Sequence, residues 1–196
     1  MDAIEAIEKR RARRSFEERE IPKETVEELI RLASLAPSPY NSQPWHFIAV
    51  RDRLLIDEVE AAIRRQAGRI WKARPFLKLV LRSLRGERIR EILQKAPRQT
   101  IHRAPLFLLI CADDSWPNAE ASCAYATQNI LIAATALGLG GTHIGGVSLV
   151  NRDRRLISRL NVPNGFRVVD SIVLGFPRDT PAMPPRKSVS EILSWR

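Results

Sequence analysis

The chain has 196 residues, 44% of them hydrophobic, with 32 Lys and Arg against 22 Asp and Glu and a net charge of +10. That length and content suit an ordinary globular protein with one substantial core, and one domain over residues 1–196 is expected. No window approaches the eighteen or so apolar residues of a membrane span, and residues 1–20 are charged from Glu5 onward, unlike a signal peptide, so no transmembrane segment and a cytoplasmic location are expected.

The charge alone would suit a nucleic-acid binder, but its distribution is local. From Arg64 to Arg103 there are thirteen Lys and Arg against Glu87 and Glu91, a balance of +11, and the remaining 19 basic and 20 acidic residues give −1. Cys111 lies in an apolar run and Cys123 in an alanine-rich helical pattern, without a CxxC or a His at ligand spacing. Both read as reduced core residues, and no metal site is expected.

In chain order, residues 2–14 place Ala3, Ile4 and Ile7 at helical spacing, and the helix is expected to end in the basic run from Lys9 to Arg14 and Ser15. That run matches the dipole of a helix C-terminus, and equally offers Arg13, Arg14 and Ser15 to a phosphate. Pro22 opens a second helix with Val26, Leu29, Ile30 and Ala33 on one face. Residues 36–47 then carry Pro37, Pro39 and Pro44, which stop helix and ladder alike, among Ser38, Tyr40, Asn41, Ser42 and Gln43. Such a stiff loop lined with hydroxyls and amides suits a polar planar ligand, or simply connects a helix to the strand expected at 46–50.

A helix is expected over 54–63, followed by a basic helical insert at about 64–103 that reads as two or three short amphipathic helices. It could cover an active site, bind an anionic membrane, touch nucleic acid, or be a solvated excursion. Residues 105–112 are nearly all apolar, as in a strand covered on both faces, and Asp113 and Asp114 read as its closing turn rather than a catalytic carboxylate pair. A long alanine-rich helix over 119–137 suits an interior position or a subunit interface. Gly138, Gly140, Gly141, Gly145 and Gly146 follow without a G-x-G-x-x-G pattern. A helix cap at Gly138 and a turn explain the first of them, whereas Gly145 and Gly146 suit backbone amides approaching a flat ligand. His143 reads as a wall or surface residue. A short helix through Leu156, Ile157 and Leu160, a strand at 168–176, and a tail whose Val189, Ile192, Leu193 and Trp195 need a surface to dock on complete the chain.

The ordered set Arg13-Arg14-Ser15, the loop from Ala36 to Phe47 with Asn41-Ser42-Gln43-Pro44-Trp45, the helix containing Ala126 to Leu131, Gly138-Leu139-Gly140, Ile144-Gly145-Gly146, Leu174-Gly175-Phe176-Pro177 and Arg186-Lys187 closely resembles the FMN-dependent nitroreductase family. The resemblance implies an α+β fold with a mixed, mainly antiparallel sheet flanked by helices, in an interlocked homodimer with FMN at the interface. It implies that Arg13, Arg14 and Ser15, with Arg186 or Lys187, hold the FMN phosphate and ribityl chain. Ser38, Asn41 and Gln43 would face the flavin, and a backbone amide of Gly145 or Gly146 would lie near N5. It further implies ping-pong hydride transfer from NAD(P)H to a nitroaromatic, quinone or other small electrophilic acceptor, with no catalytic side chain required.

Two positions depart from the pattern. Glu17 stands where a basic residue is usual near the flavin's N1 and O2, and residues 97–100 do not match the polar residues often found before the central strand. The competing readings are a nucleic-acid or anionic-membrane binder acting through residues 64–103, with nucleic acid the less favoured partner, and a flavin-binding protein without turnover.

Overall fold

The computed structural model describes residues 1–73 and 101–196, with the backbone alone for residues 70–73. Its strands are β1 (Trp45–Val50), β2 (Leu106–Asp113), β3 (Gly140–His143) and β4 (Phe166–Gly175), in the order β1-β2-β4-β3, every neighbouring pair antiparallel. The helices are α1 (Ala3–Lys9), α2 (Lys23–Ala33), α3 (Arg53–Ala73), α4 (Ala119–Ala136), α5 (Arg154–Arg159) and the single turn α6 (Val189–Ile192), with 3-10 turns at Pro39–Asn41 and Val147–Arg152. One parallel bridge, Ala12 to Gly141, makes the sheet mixed. This is the expected α+β architecture.

β2 is central, and its near-continuous apolar run is buried from Leu106 to Ala112 because both faces are covered. Period-2 alternation sends Phe107, Leu109 and Cys111 to a core shared with α3, the Val147–Arg152 turn and α5. Leu106, Leu108, Ile110 and Ala112 go to a second core shared with α2 and α4. A bulge at Ile110/Cys111 shifts the β2–β4 register just where β4 carries Asp170 and Ser171. Cys111 and Cys123 are free and buried, and burial pushes both thiols up to about 12.

Helix α4 is apolar nearly all round, yet Ala121, Ala124, Tyr125 and Gln128, at i, i+3, i+4 and i+7, face outward. It ends as the sequence suggests: Gly138, at φ +77°, donates to Thr135 O, and Leu139 N donates to Ala134 O at 2.8 Å, a complete Schellman motif.

Three expectations are corrected. The basic run is not helical, because Arg10 leaves the helical region (φ −58°, ψ 123°) and the chain from Arg11 onward is drawn alongside the sheet. The second and third glycines of the cluster, Gly140 and Gly141, are not a turn but the start of β3, placed where no side chain fits. The helix expected to stop at 63 runs on to Ala73, so the start of the basic segment continues α3. The short helices expected in that segment lie at residues 74–100, outside the described residues.

Candidate functional site

The N-terminal stretch crosses one end of the sheet. Arg13 N donates to Gly141 O at 3.1 Å, Arg178 N to Ser15 O at 3.1 Å, and Glu17 N to Phe176 O at 2.9 Å. Arg13 packs over Gly140, where a Cβ would lie 2.4 Å from Arg13 Cγ, and its Nη1 donates to the Asp179 carbonyl. The remaining guanidinium N–H groups are available to a second acceptor. Phe16 packs over Gly175, the residue paired with Gly140, so it lies on the same face of the sheet as Arg13. Arg14 is exposed, and its charge reaches His102, which it helps burial to hold below the usual histidine range.

The other end of β3 leads into Ile144, Gly145 and Gly146. Five residues at about 3.3 Å each separate Gly140 from Gly145, roughly 16 Å. The exit is clamped: Ile144 N donates to Ser171 O at 3.0 Å, and Ser171 Oγ donates to Ile144 O at 3.2 Å. The following turn is fixed to β4 by Asn151, whose Nδ2 donates to Val168 O at 2.7 Å while its Oδ1 accepts from Val168 N at 3.0 Å. Between these clamps Gly145 and Gly146 are exposed, and a Cβ on Gly145 would meet nothing within 4 Å among the described residues. Gly146 is left-handed at φ +79°, which favours glycine. The result is a rigidly held stretch of backbone with open space over it. Beside it, His143 Nδ1 lies 2.9 Å from Asp170 Oδ1, and this carboxylate holds the imidazole above its ordinary range.

The proline-rich loop is wound tightly. Tyr40, Asn41 and Gln43 all have φ between 45° and 54°, a left-handed region that costs side-chain-bearing residues about 1 kcal/mol or more each. Ser38 holds the turn by accepting from Gln43 N at 3.0 Å on Oγ and from Asn41 N at 3.1 Å on its carbonyl. Asn41 and Gln43 are exposed. Ser42 Oγ is buried with no hydrogen-bond partner among the described residues, which costs about 1–3 kcal/mol unless something supplies a partner. The loop enters β1, whereas Gly145 follows β3, and these are the two edge strands of the sheet, about three strand spacings or roughly 14 Å apart. One protomer thus keeps the two groups of candidate residues at opposite edges.

Arg186 and Lys187 are exposed on a tail without regular structure before α6. Val189 (68%), Ile192 (69%) and Trp195 (89%) in that tail are exposed too, so the described residues of this protomer offer no dock for them. Glu17 lines a cavity of about 480 Å³ with Glu18, Glu20, Arg51 and Arg103, away from Gly145. Arg19 beside it stacks on the Phe176 ring at 4.0 Å, and Arg51 donates to Ile21 O at 2.6 Å. Asp113 accepts from Ser115 N and Oγ, confirming a turn. Among the described residues no cluster of His, Cys, Asp and Glu could hold a metal, and no helix is long and apolar enough to cross a membrane.

A model described as the nitroreductase family matches residues 7–176. The chain belongs to the nitroreductase family. That membership places it among oxidoreductases. It is 28% identical over 185 residues to a Methanothermobacter thermautotrophicus protein provisionally named an NADH dehydrogenase/NAD(P)H nitroreductase, covering 92% of this chain and 80% of that one. It is 27% identical over 186 residues to the iodotyrosine deiodinase of Thermotoga neapolitana, covering 92% and 91%. The structure of a nitroreductase with bound FMN from Bacteroides fragilis superposes with a TM-score of 0.75 at 20% identity, covering 100% of this chain and 99% of that one.

Several residues that shape this nitroreductase-family site carry no sequence motif. Ser171 and Asn151 act only through tertiary pairing. For Asp170 and Ser171 a signal existed, two polar residues inside the apolar strand Val168–Gly175.

Proposed function

We propose that the chain is an FMN-dependent oxidoreductase that works as a homodimer, one domain per subunit, with NAD(P)H as donor and a nitroaromatic, quinone or other small electrophile as acceptor. The observation that carries the reading is Ser42: in the loop whose sequence most resembles the family's, a buried hydroxyl lacks a partner among the described residues. A flavin or a partner-subunit group would supply one. The residues present fit FMN. Arg13 and Ser15 offer donors to a phosphate and ribityl chain, joined by Arg186 or Lys187 from a tail. The open backbone at Gly145 admits a flat ring without a described side chain in the way, and the exposed Gly146 continues it. Bound FMN would supply hydride acceptance from NAD(P)H and delivery to the acceptor in alternating half-reactions.

The chain's own residues would bind and orient. Ser38 keeps the loop wound so that Asn41 and Gln43 present their amides outward, and the Ser171 and Asn151 clamps keep the Gly145 backbone from yielding. On this reading Arg14 adds a second cation beside the phosphate, and its charge also reaches His102. The dimer follows from the opposite-edge arrangement, since a second copy can bring its loop to β3 of the first. The outward stripe of α4 and the apolar tail supply surface for it. The two free buried cysteines suit a reducing cytoplasm.

The test is the visible spectrum of the protein after addition of FMN and desalting, followed by anaerobic NADPH and then NADH. Retained flavin bands that bleach with either donor are expected. Protein that retains no flavin overturns the reading, and bound flavin that neither donor bleaches overturns its catalytic part.

A further inference from the structure

His143 is the last residue of β3, one residue before the Ile144–Gly146 exit, and its side chain is 55% exposed. Its Nδ1 is committed to Asp170 Oδ1 at 2.9 Å, and the same oxygen accepts from Ser171 N at 2.7 Å, so Asp170 is itself fixed by the strand it belongs to. The ring is therefore oriented from behind. Among the described residues the charged groups that bear on it are Asp170 from β4 and Arg10 from the stretch after α1.

This geometry decides what Nε2 can do. With Nδ1–H donated to Asp170, Nε2 of the neutral ring is an acceptor, and it becomes a donor only when the ring is protonated. We infer that His143 is a proton-linked ligand contact beside Gly145 and Gly146, whose Nε2 donates to an acceptor-rich anionic ligand, so that ligand and proton bind together. The inference rests on the FMN reading above, since FMN presents carbonyl and phosphate oxygens and ring nitrogens. Asp170 is then a positioning residue that fixes the tautomer, and Arg10 opposes the proton. The linkage runs both ways: ligand binding raises the proton affinity of His143, and protonated His143 raises the affinity for ligand.

The test is the FMN dissociation constant, from flavin fluorescence, between pH 5.5 and 8.5 for the unaltered protein, His143→Gln and Asp170→Asn. The second ionisation of a phosphate, near pH 6, affects all three alike, so the readout is the ratio between proteins at each pH. The unaltered protein should lose about threefold to tenfold more affinity than His143→Gln as pH rises through the His143 titration. Asp170→Asn should move that loss to lower pH, and it keeps the inference testable if His143→Gln does not fold. In the nuclear magnetic resonance titration of the unaltered protein, the His143 midpoint should rise when FMN is added. A constant ratio across the range, with FMN still bound, overturns the His143 assignment alone. Failure of the unaltered protein to bind FMN at any pH overturns the flavin reading and this one with it. With riboflavin in place of FMN, a surviving His143-dependent slope assigns the contact to the ring or ribityl chain, and a slope seen only with FMN assigns it to the phosphate.

Discussion

The two ends of β3 use glycine for opposite reasons. At its start, Gly141 has Val173 O 2.6 Å and Leu174 Cδ2 2.7 Å from where a Cβ would be, and the neighbouring Gly175 has the Phe16 ring and Pro105 at 2.8 Å. These glycines exist because other atoms already fill the space. Past its far end, Gly145 has nothing within 4 Å among the described residues and no positive φ that would demand glycine. Neither packing among the described residues nor backbone conformation accounts for it, and such a glycine points to something placed over it. The difference separates residues that hold the fold from residues that await a ligand or partner.

The sharpest way to break this contrast is to add a methyl group at each end. Gly141→Ala must push against main chain and a buried leucine, so it should lose about 3 kcal/mol of stability in urea unfolding, close to the upper range for overpacking. Gly145→Ala should unfold within about 0.5 kcal/mol of the parent, as ordinary surface changes do, yet weaken FMN binding severalfold. Equal stability losses at both positions would dissolve the distinction.

Next in size is Arg13→Ala. Removal of a charge-assisted phosphate contact should cost about 1.5–3 kcal/mol of FMN affinity, roughly tenfold to a hundredfold by fluorescence titration. Arg14→Ala, which removes the more exposed of the two cations, should cost less. Comparable losses from both would mean that exposure along this segment does not decide which arginine the ligand uses.

The strands and helices were legible in the sequence wherever one physical pattern ruled: the unbroken apolar run of β2, the 3.6-residue spacing of α2, the Gly138 cap. The sequence was misleading where a long-range partner decided. Arg10 to Arg14 look like the end of a helix until β3 claims their backbone, and Gly140 and Gly141 look like a turn until the contacts of Arg13 and Val173 are known. The candidate site shows the same division. Its arginines, serines and glycines stand in recognisable order, but that Arg13 packs over Gly140 while Arg14 stays exposed depends on how the segment meets the sheet, and the Ser171 and Asn151 clamps exist only in three dimensions.

Ser42 offers a prediction in which the sign matters more than the size. In the FMN-free protein, Ser42→Ala removes a buried hydroxyl without a described partner, so stability should stay equal or rise by about 1 kcal/mol. In the FMN-loaded protein the same change should lower the melting temperature relative to the parent, because it removes the group that the ligand or partner satisfies. A loss of stability in both states would mean that Ser42 is already satisfied in the free protein.

The smallest effect concerns the two histidines at the margins of the site, which titrate in opposite senses. His143 is held above the ordinary value near 6.5 by Asp170, so its contribution to stability is fully present below that value and fades as pH rises through its raised pKa. His102 is held below the ordinary value by burial and by Arg14, so stability is lost as pH falls through 6.5 and the unfolded chain takes up the proton first. Because His143 is half-exposed, solvent screening limits its share to about 0.3–0.5 kcal/mol. The two slopes have opposite signs in adjoining windows, so together they place a stability maximum near pH 6.5 in the FMN-free protein. In urea unfolding between pH 5 and 8, His143→Gln should expose the His102 slope as a decline in stability toward acid, and His102→Gln should expose the His143 slope as a decline toward base. If both variants keep the parent's profile, neither histidine's surroundings differ enough from the unfolded chain to matter, and the Asp170 contact is too weak to orient the ring.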